Sequence, residues 1–340
     1  MKLGQVGDTG NFLLSLAKGN IDRHSAITKF GENPDIDIAD GFSDVWAGKS
    51  VAGGTQKYVA PTTARTHDVV STDVADDGTV LSSGTMTGGN GGAGGTIEDT
   101  AATFVTDTVA IGDLVLNDAQ AVLGSVVFVN SETVLTLNAW FNPNNGLRES
   151  TPVAGDAYRV VTPAAGASVL HINGLDATFV IQEEFVVLDG LVVVPTAGDY
   201  TRINRMRAFG AGAQKKLVGN AIVTAQTDST VTAAIIDGDN QTMQALYTVP
   251  SDKDAYLVSW SASVSKKQTG VINARLRLGQ FNEIMFVTDS VALHSQGSGA
   301  ASAQMGYQRI PGGTDILVEG DADTNNMGAS AGFQLVLVDV

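Results

Sequence analysis

From residue 226 to the carboxyl terminus the chain is cut into short runs in which apolar and polar residues alternate: QALYTV, AYLVSWSASVS, VINARLRLG, EIMFVTDSVAL, MGYQRIP, DILVEGDA and AGFQLVLVDV. A period of two sends successive side chains to opposite faces of a strand and cannot build the continuous apolar stripe of a helix. Roughly seven or eight such strands at even spacing make a sandwich or jelly roll. With 39 glycines and only 16% charged residues, the composition suits strands and turns better than helices rich in Glu, Lys and Leu. The predicted fold class is all-β, with antiparallel β-sandwich or jelly-roll domains.

The same rhythm extends upstream with interruptions. HDVVSTDVADDGTVL alternates and breaks at Asp76-Asp77-Gly78, a hairpin signal. A glycine-dense stretch, GTMTGGNGGAGGTIEDT, separates it from residues 100–163, which read as short strands closing into a small barrel. After Pro163 the chain resumes with SVLHINGLD, TFVIQEEFVVL, GLVVVPTAGDYTRINRMRAFG and KLVGNAIVTA. Strands near Val69 and Val80 would be orphaned alone, since an isolated hairpin is marginal. They therefore predict a first sandwich from 55–83 and 164–225, interrupted by a small β module at 84–163, with a terminal jelly-roll-like sandwich at 226–340.

Residues 1–54 differ. They contain one plausible short helix, Thr9 to Lys18, and then GENPDIDIADGFSDVW, whose Pro, Gly and Asp spacing does not sustain regular structure. The scattered apolar residues Phe30, Ile36, Ile38, Phe42 and Trp46 have too few local neighbours for a core, so they predict an extended arm that anchors on a partner. Truncating residues 1–50 is then expected to leave folded protein that no longer associates. The apolar core Phe12-Leu13-Leu14-Ser15-Leu16-Ala17 falls short of a signal peptide, and no run reaches the roughly 18 apolar residues of a membrane span. Synthesis in the cytoplasm is the expectation.

Several chemistries are disfavoured. The chain has no cysteine, which removes disulfides, thiolate metal sites and cysteine nucleophiles. A formal charge of −16, from 36 acidic and 20 basic residues, repels the phosphate backbone, so direct nucleic-acid binding is not expected. Gly89 to Gly94 matches GxGxxG, but further strands follow rather than the helix a dinucleotide needs. None of His24, His67, His171 and His294 has metal-ligand spacing, and His171 alternates with Leu170 and Ile172 as a solvent-facing strand residue. Glu183 and Glu184, adjacent on a strand, point to opposite faces. Asp321-Ala322-Asp323-Thr324-Asn325 begins like a calcium loop but lacks Gly at its sixth position, with Asp237 and Asp239 an equally loose alternative. No enzyme, cofactor or metal is expected. The basic residues Arg202, Arg205, Arg207, Lys215 and Lys216 form the one basic stretch of an acidic chain and predict a docking surface for an acidic neighbour.

The string ITKFGENPDIDIADGFSDVW, with HDVVSTDVADD, INGLDATFVIQEEFVVLDG, YTRINRMRAFGAG, ALYTVPSDKDAYLVSWSASV and the terminal SAGFQLVLVDV, resembles a family of accessory virion structural proteins of tailed bacteriophages. The inserted stretch resembles a small β module that recurs in phage structural proteins as a spacer or surface embellishment. The resemblance implies a non-enzymatic decoration-type component of the head surface or neck, with other virion proteins (capsid, neck or tail subunits) as partners and a homo-oligomer, a trimer by analogy. The alternative is a tail-fibre or glycan-binding adhesin. For that, Trp140 and Phe141 are the candidate stacking rings, though a hydrophobic plug is the favoured role for them.

Overall fold

The computed structural model describes residues 24–48, 64–90, 95–144, 146, 153–210, 212–265, 269–280, 284–295 and 300–340, with backbone alone at 24, 265, 280 and 304–307. Strands hold 58% of residues and helix 1%, so the chain is all-β as its alternation predicts. The expected helix at Thr9 to Lys18 lies outside the described residues.

In chain order the strands begin with β1 (His24–Ile36), β2 (Ser43–Asp44) and β3 (His67–Ser71). Then follow β4 (Thr79–Thr85), β5 (Gly88–Asn90), β6 (Thr96–Glu98), β7 (Leu114–Asn117), β8 (Val122–Val129), β9 (Val134–Leu137) and β10 (Ala157–Thr162). Next are β11 (Val169–Leu175), β12 (Ile181–Val187), β13 (Val194–Pro195), β14 (Arg202–Phe209), β15 (Ala221–Ala225) and β16 (Val231–Ile235). The chain closes with β17 (Leu246–Thr248), β18 (Lys253–Ser265), β19 (Val271–Gln280), β20 (Phe286–His294), β21 (Ala300–Ile310), β22 (Thr314–Ala322) and β23 (Met327–Asp339).

Two compact units form. The first takes Ala177–Val180, Met243–Val340 and the described residues of 1–62; the second takes the described residues of 63–176 and 181–242. Both boundaries differ from the expectation, because strands were assigned to neighbours in sequence and two of them pair elsewhere. β16 joins the second unit through β15, moving the boundary from 225 to 242. β1 joins β23, from His24↔Val338 to Ile36↔Met327, so this part of the expected arm is a strand of the terminal sandwich.

The first unit has one sheet in the order β1-β23-β18-β21 and another in the order β17-β22-β19-β20, with β2 also beside β22. Taking β2 and β17 as one strand, this is the interleaved order of an eight-stranded jelly roll. The hydrogen bonds justify that merger. Ser43 and Asp44 pair with Gly320 and Glu319, Val45 N donates to Val318 O at 2.9 Å, and Val318 N then donates to Ala245 O at 3.1 Å before Leu246 pairs with Leu317. A single strand is thus spliced from two stretches, and the second unit occupies the sequence between them. Gly31 sits against the splice: a Cβ there would lie 2.2 Å from both Val45 O and Ala245 N. The core between the sheets holds Ile36, Val45, Trp260, Ile272, Val318 and Phe333.

The second unit contains a sandwich and a module. The sandwich sets β12-β11-β14 against β13-β3-β15-β16 over a core that includes Val69, Leu170, Ile172, Met206 and Val223. Asp76, at the anticipated turn, is buried; its carboxylate accepts from Ser71 Oγ (2.7 Å), Ala167 N (2.8 Å) and Gly219 N (2.7 Å). The module is a seven-stranded sheet, β4-β10-β7-β8-β9-β6-β5. Its two edge strands, β4 and β5, are joined by only Met86 and Thr87, which forces the sheet to curl until its edges are close. It starts at Thr79 rather than 84, because β4 pairs with β10. Ile97, Phe104, Leu135, Trp140 and Tyr158 fill the interior.

Candidate functional site

The five anchor residues separate into three groups. Ile36 and Trp46 are buried at 0% and 1% exposure, Ile36 within the jelly-roll core, so they hold this unit together and are not free to grip a partner. Phe42 lies under the Arg275 guanidinium, 3.3 Å from ring centroid to Cζ, and Arg275 bonds Glu319 at 2.7 Å. Phe30 and Ile38 remain outward, at 47% and 56% exposure. The expected arm is corrected over 24–48: it is tied to the far end of the same chain through β23, and Ile36 and Val45 enter the core formed there, a contact invisible to local inspection.

A larger apolar surface lies at the opposite edge of the jelly roll. Among the described residues β20 pairs only with β19, and β21 only with β18, so each presents a backbone edge that no described strand pairs. Ile284, Phe286 and Val287 beside this edge are 73%, 69% and 51% exposed. A cleft of about 400 Å³ lined by Leu278, Ile284, Phe286, Ile310 and Pro311 opens there. Sequence reasoning missed this surface, because EIMFVTDSVAL alternates as any half-buried strand does.

The basic residues are divided by the fold instead of forming one patch. Arg202 is buried, its Nη1 donating to Thr201 O at 3.0 Å. Lys215 is exposed, and Lys216 pairs with Asp237 at 2.9 Å. Arg205 and Arg207 are half-buried on β14, opposite Asn173 and His171 of β11. Across the same sheet β12 places Glu183 opposite Asn173 and Phe185 opposite His171.

Glu183 is the acceptor centre of this polar group. Its carboxylate takes hydrogen bonds from Asn144 Nδ2 at 2.6 Å and from Asn173 Nδ2, and lies 3.4 Å from His171 Nε2. Burial alone would raise its pKa, but the nearby His171 imidazole and the bonds from Asn173 and Asn144 outweigh burial and hold it below its ordinary value. Arg207 and Phe209 line a cleft of about 460 Å³ with Leu123, Phe141, Pro143 and Asn144. Burial first, and the neighbouring Arg205 second, push the Arg207 guanidinium down to about 10.

Other candidates resolve into structural roles. His171 is 1% exposed, which corrects the solvent-facing reading: both faces of β11 are covered, so alternation alone did not tell inside from outside. His67 is buried, its Nδ1 2.7 Å from Arg65 O, and burial lowers its pKa. Glu184 accepts from Ala197 N at 2.8 Å, away from the partners of Glu183. In the calcium-like stretch, Asp323 Oδ1 accepts from Val271 N and Asn325 Oδ1 from Ile38 N, as in a pinned turn. Among the described residues no three His, Asp or Glu are grouped to hold a metal ion, and no helix is long and apolar enough to cross a membrane. Trp140 is fully buried in the module, the plug role, while Phe141 lines the cleft. No protein-family model matches this chain, and no curated protein matches it.

Proposed function

We propose that this protein is a non-enzymatic structural component of a tailed-bacteriophage particle, an accessory or decoration-type protein of the head surface or neck. The observation that carries this reading is the jelly-roll strand order of the first unit, an architecture used by viral capsid and lectin domains. It adds to the resemblance borne by ITKFGENPDIDIADGFSDVW. Attachment then rests on packing of the β units and on Phe30 and Ile38, since Ile36 and Trp46 are core residues.

Self-association follows from the apolar edge at β20 and β21. Copies carrying a formal charge of −16 repel one another, so their contact needs apolar burial, and Ile284, Phe286 and Val287 supply it. A homo-oligomer, by analogy a trimer, is the expected state. The alternative of a glycan-binding adhesin cannot use Trp140, whose ring lies inside the module. The test is fractionation of particles made with an epitope-tagged chain. The tag should sediment with intact particles at fixed copy number, and recovery solely in the free protein fraction sinks the proposal. Light scattering on the purified chain, with Phe286→Glu as comparison, should show an oligomer that this charge dissociates.

A further inference from the structure

We propose that the cleft lined by Phe141, Pro143, Phe209 and Arg207 binds a carboxylate-bearing molecule with an apolar face, its carboxylate seated on the Arg207 guanidinium. Three observations point there. First, the Arg207 side chain has no hydrogen bond or ion pair among the described residues, while the neighbouring carboxylate, Glu183, is engaged by Asn144, Asn173 and His171. The charged group acting on Arg207 is another cation, Arg205. A half-buried cation without a counter-ion is costly, and an arriving carboxylate can take two parallel N–H bonds from a guanidinium fork.

Second, the remaining walls are chemically selective. Leu123, Phe141, Pro143 and Phe209 are apolar, so an anion with a flat hydrocarbon or C–H-rich face fits better than a bare inorganic ion. Third, about 460 Å³ falls in the size range of small-molecule sites. The shared chemistry has two sources, a free aromatic or aliphatic carboxylate and a uronic acid residue of a glycan.

Calorimetric titration of the full chain distinguishes them. Benzoate and D-glucuronate are the anionic probes, with benzamide and D-glucose as their neutral counterparts. At least one anion should bind about tenfold or more tightly than its neutral counterpart, and the anion that does so names the source. Arg207→Gln should abolish that preference, while Arg207→Lys, which keeps the charge but loses the fork, should weaken it. Arg207→Gln should melt no lower than the parent, since it removes a half-buried cation that has no counter-ion among the described residues. The proposal is overturned if neither anion binds at tens of millimolar, if the neutral compounds bind equally well, or if a folded Arg207→Gln retains the preference. Should Arg207→Gln fail to fold, the anion-to-neutral comparison on the parent and Arg207→Lys still decides.

Discussion

Among the described residues strand β1 has a single partner strand, β23, at the other end of the chain, whereas β8 in the module lies between β7 and β9, its immediate neighbours in sequence. The two regions bury comparable aromatic side chains, Trp46 in one and Trp140 in the other. They differ in how far the chain travels to close the contact. Loop-closure cost grows only slowly with length, so a distant pairing is thermodynamically acceptable even though it forms late and leaves no local signature. The centre of the module, β7-β8-β9, is therefore built from nearest-neighbour strands, while the jelly roll depends on a strand, β1, that pairs with the far end of the chain.

The largest expected effect comes from deleting residues 24–36. That removes one sheet edge and Ile36 from the jelly-roll core, so the first unit should lose its protection from proteolysis while the second keeps its own. If the deletion leaves a protected jelly roll, the segment is an arm after all and the contrast collapses. Next come Trp46→Ala and Trp140→Ala, each expected to cost about 3–5 kcal/mol in its own unit. Hydrogen exchange should place each loss within the unit that carries the substitution; both losses in one unit would break the comparison.

A pH effect is expected in the second unit. Burial holds His67 below its unfolded value of 6.5, so the unfolded chain binds the proton more readily. Stability is therefore full above 6.5 and falls as pH drops toward the folded pKa. Thermal melts from pH 8 to pH 5 should show this decline, and His67→Gln should flatten it. Glu183, also held low, adds a separate loss only below about 4.5, as its carboxylate is forced to accept a proton. The smallest effect is that of Phe30→Ser, within about 0.5 kcal/mol for an exposed site. Any loss of particle association from that substitution then reports a partner contact and not folding.

The seven alternating runs beyond residue 226 all become strands, β17 to β23, because each carries its own period and turn residues. β1 was not legible, for a local reason. Gly31, Asn33 and Pro34 interrupt its alternation, and Pro34 falls where the register shifts between Asn33 and Ile36. Proline is admitted there because β1 is an edge strand with a bulge. Asn33 is buried, its Nδ2 donating to Asp44 O at 3.0 Å and its Oδ1 accepting from Asp35 N at 3.2 Å. A residue that looks like a loop former is thus the internal brace of the bulge. The basic residues 202–216 were visible as a cluster, but their division into buried, paired and cleft-lining members was not.

By itself the amino-acid order determines the all-β character, most strand positions and the approximate place of the inserted module, since alternation, glycine and turn chemistry act over a few residues. Only the tertiary structure decides which strands pair across the chain, where the jelly roll takes its eighth strand, and which arginine comes to line a cleft. Those outcomes depend on simultaneous burial of surfaces far apart in sequence, and desolvation, unlike strand periodicity, is a property of the surroundings a residue acquires.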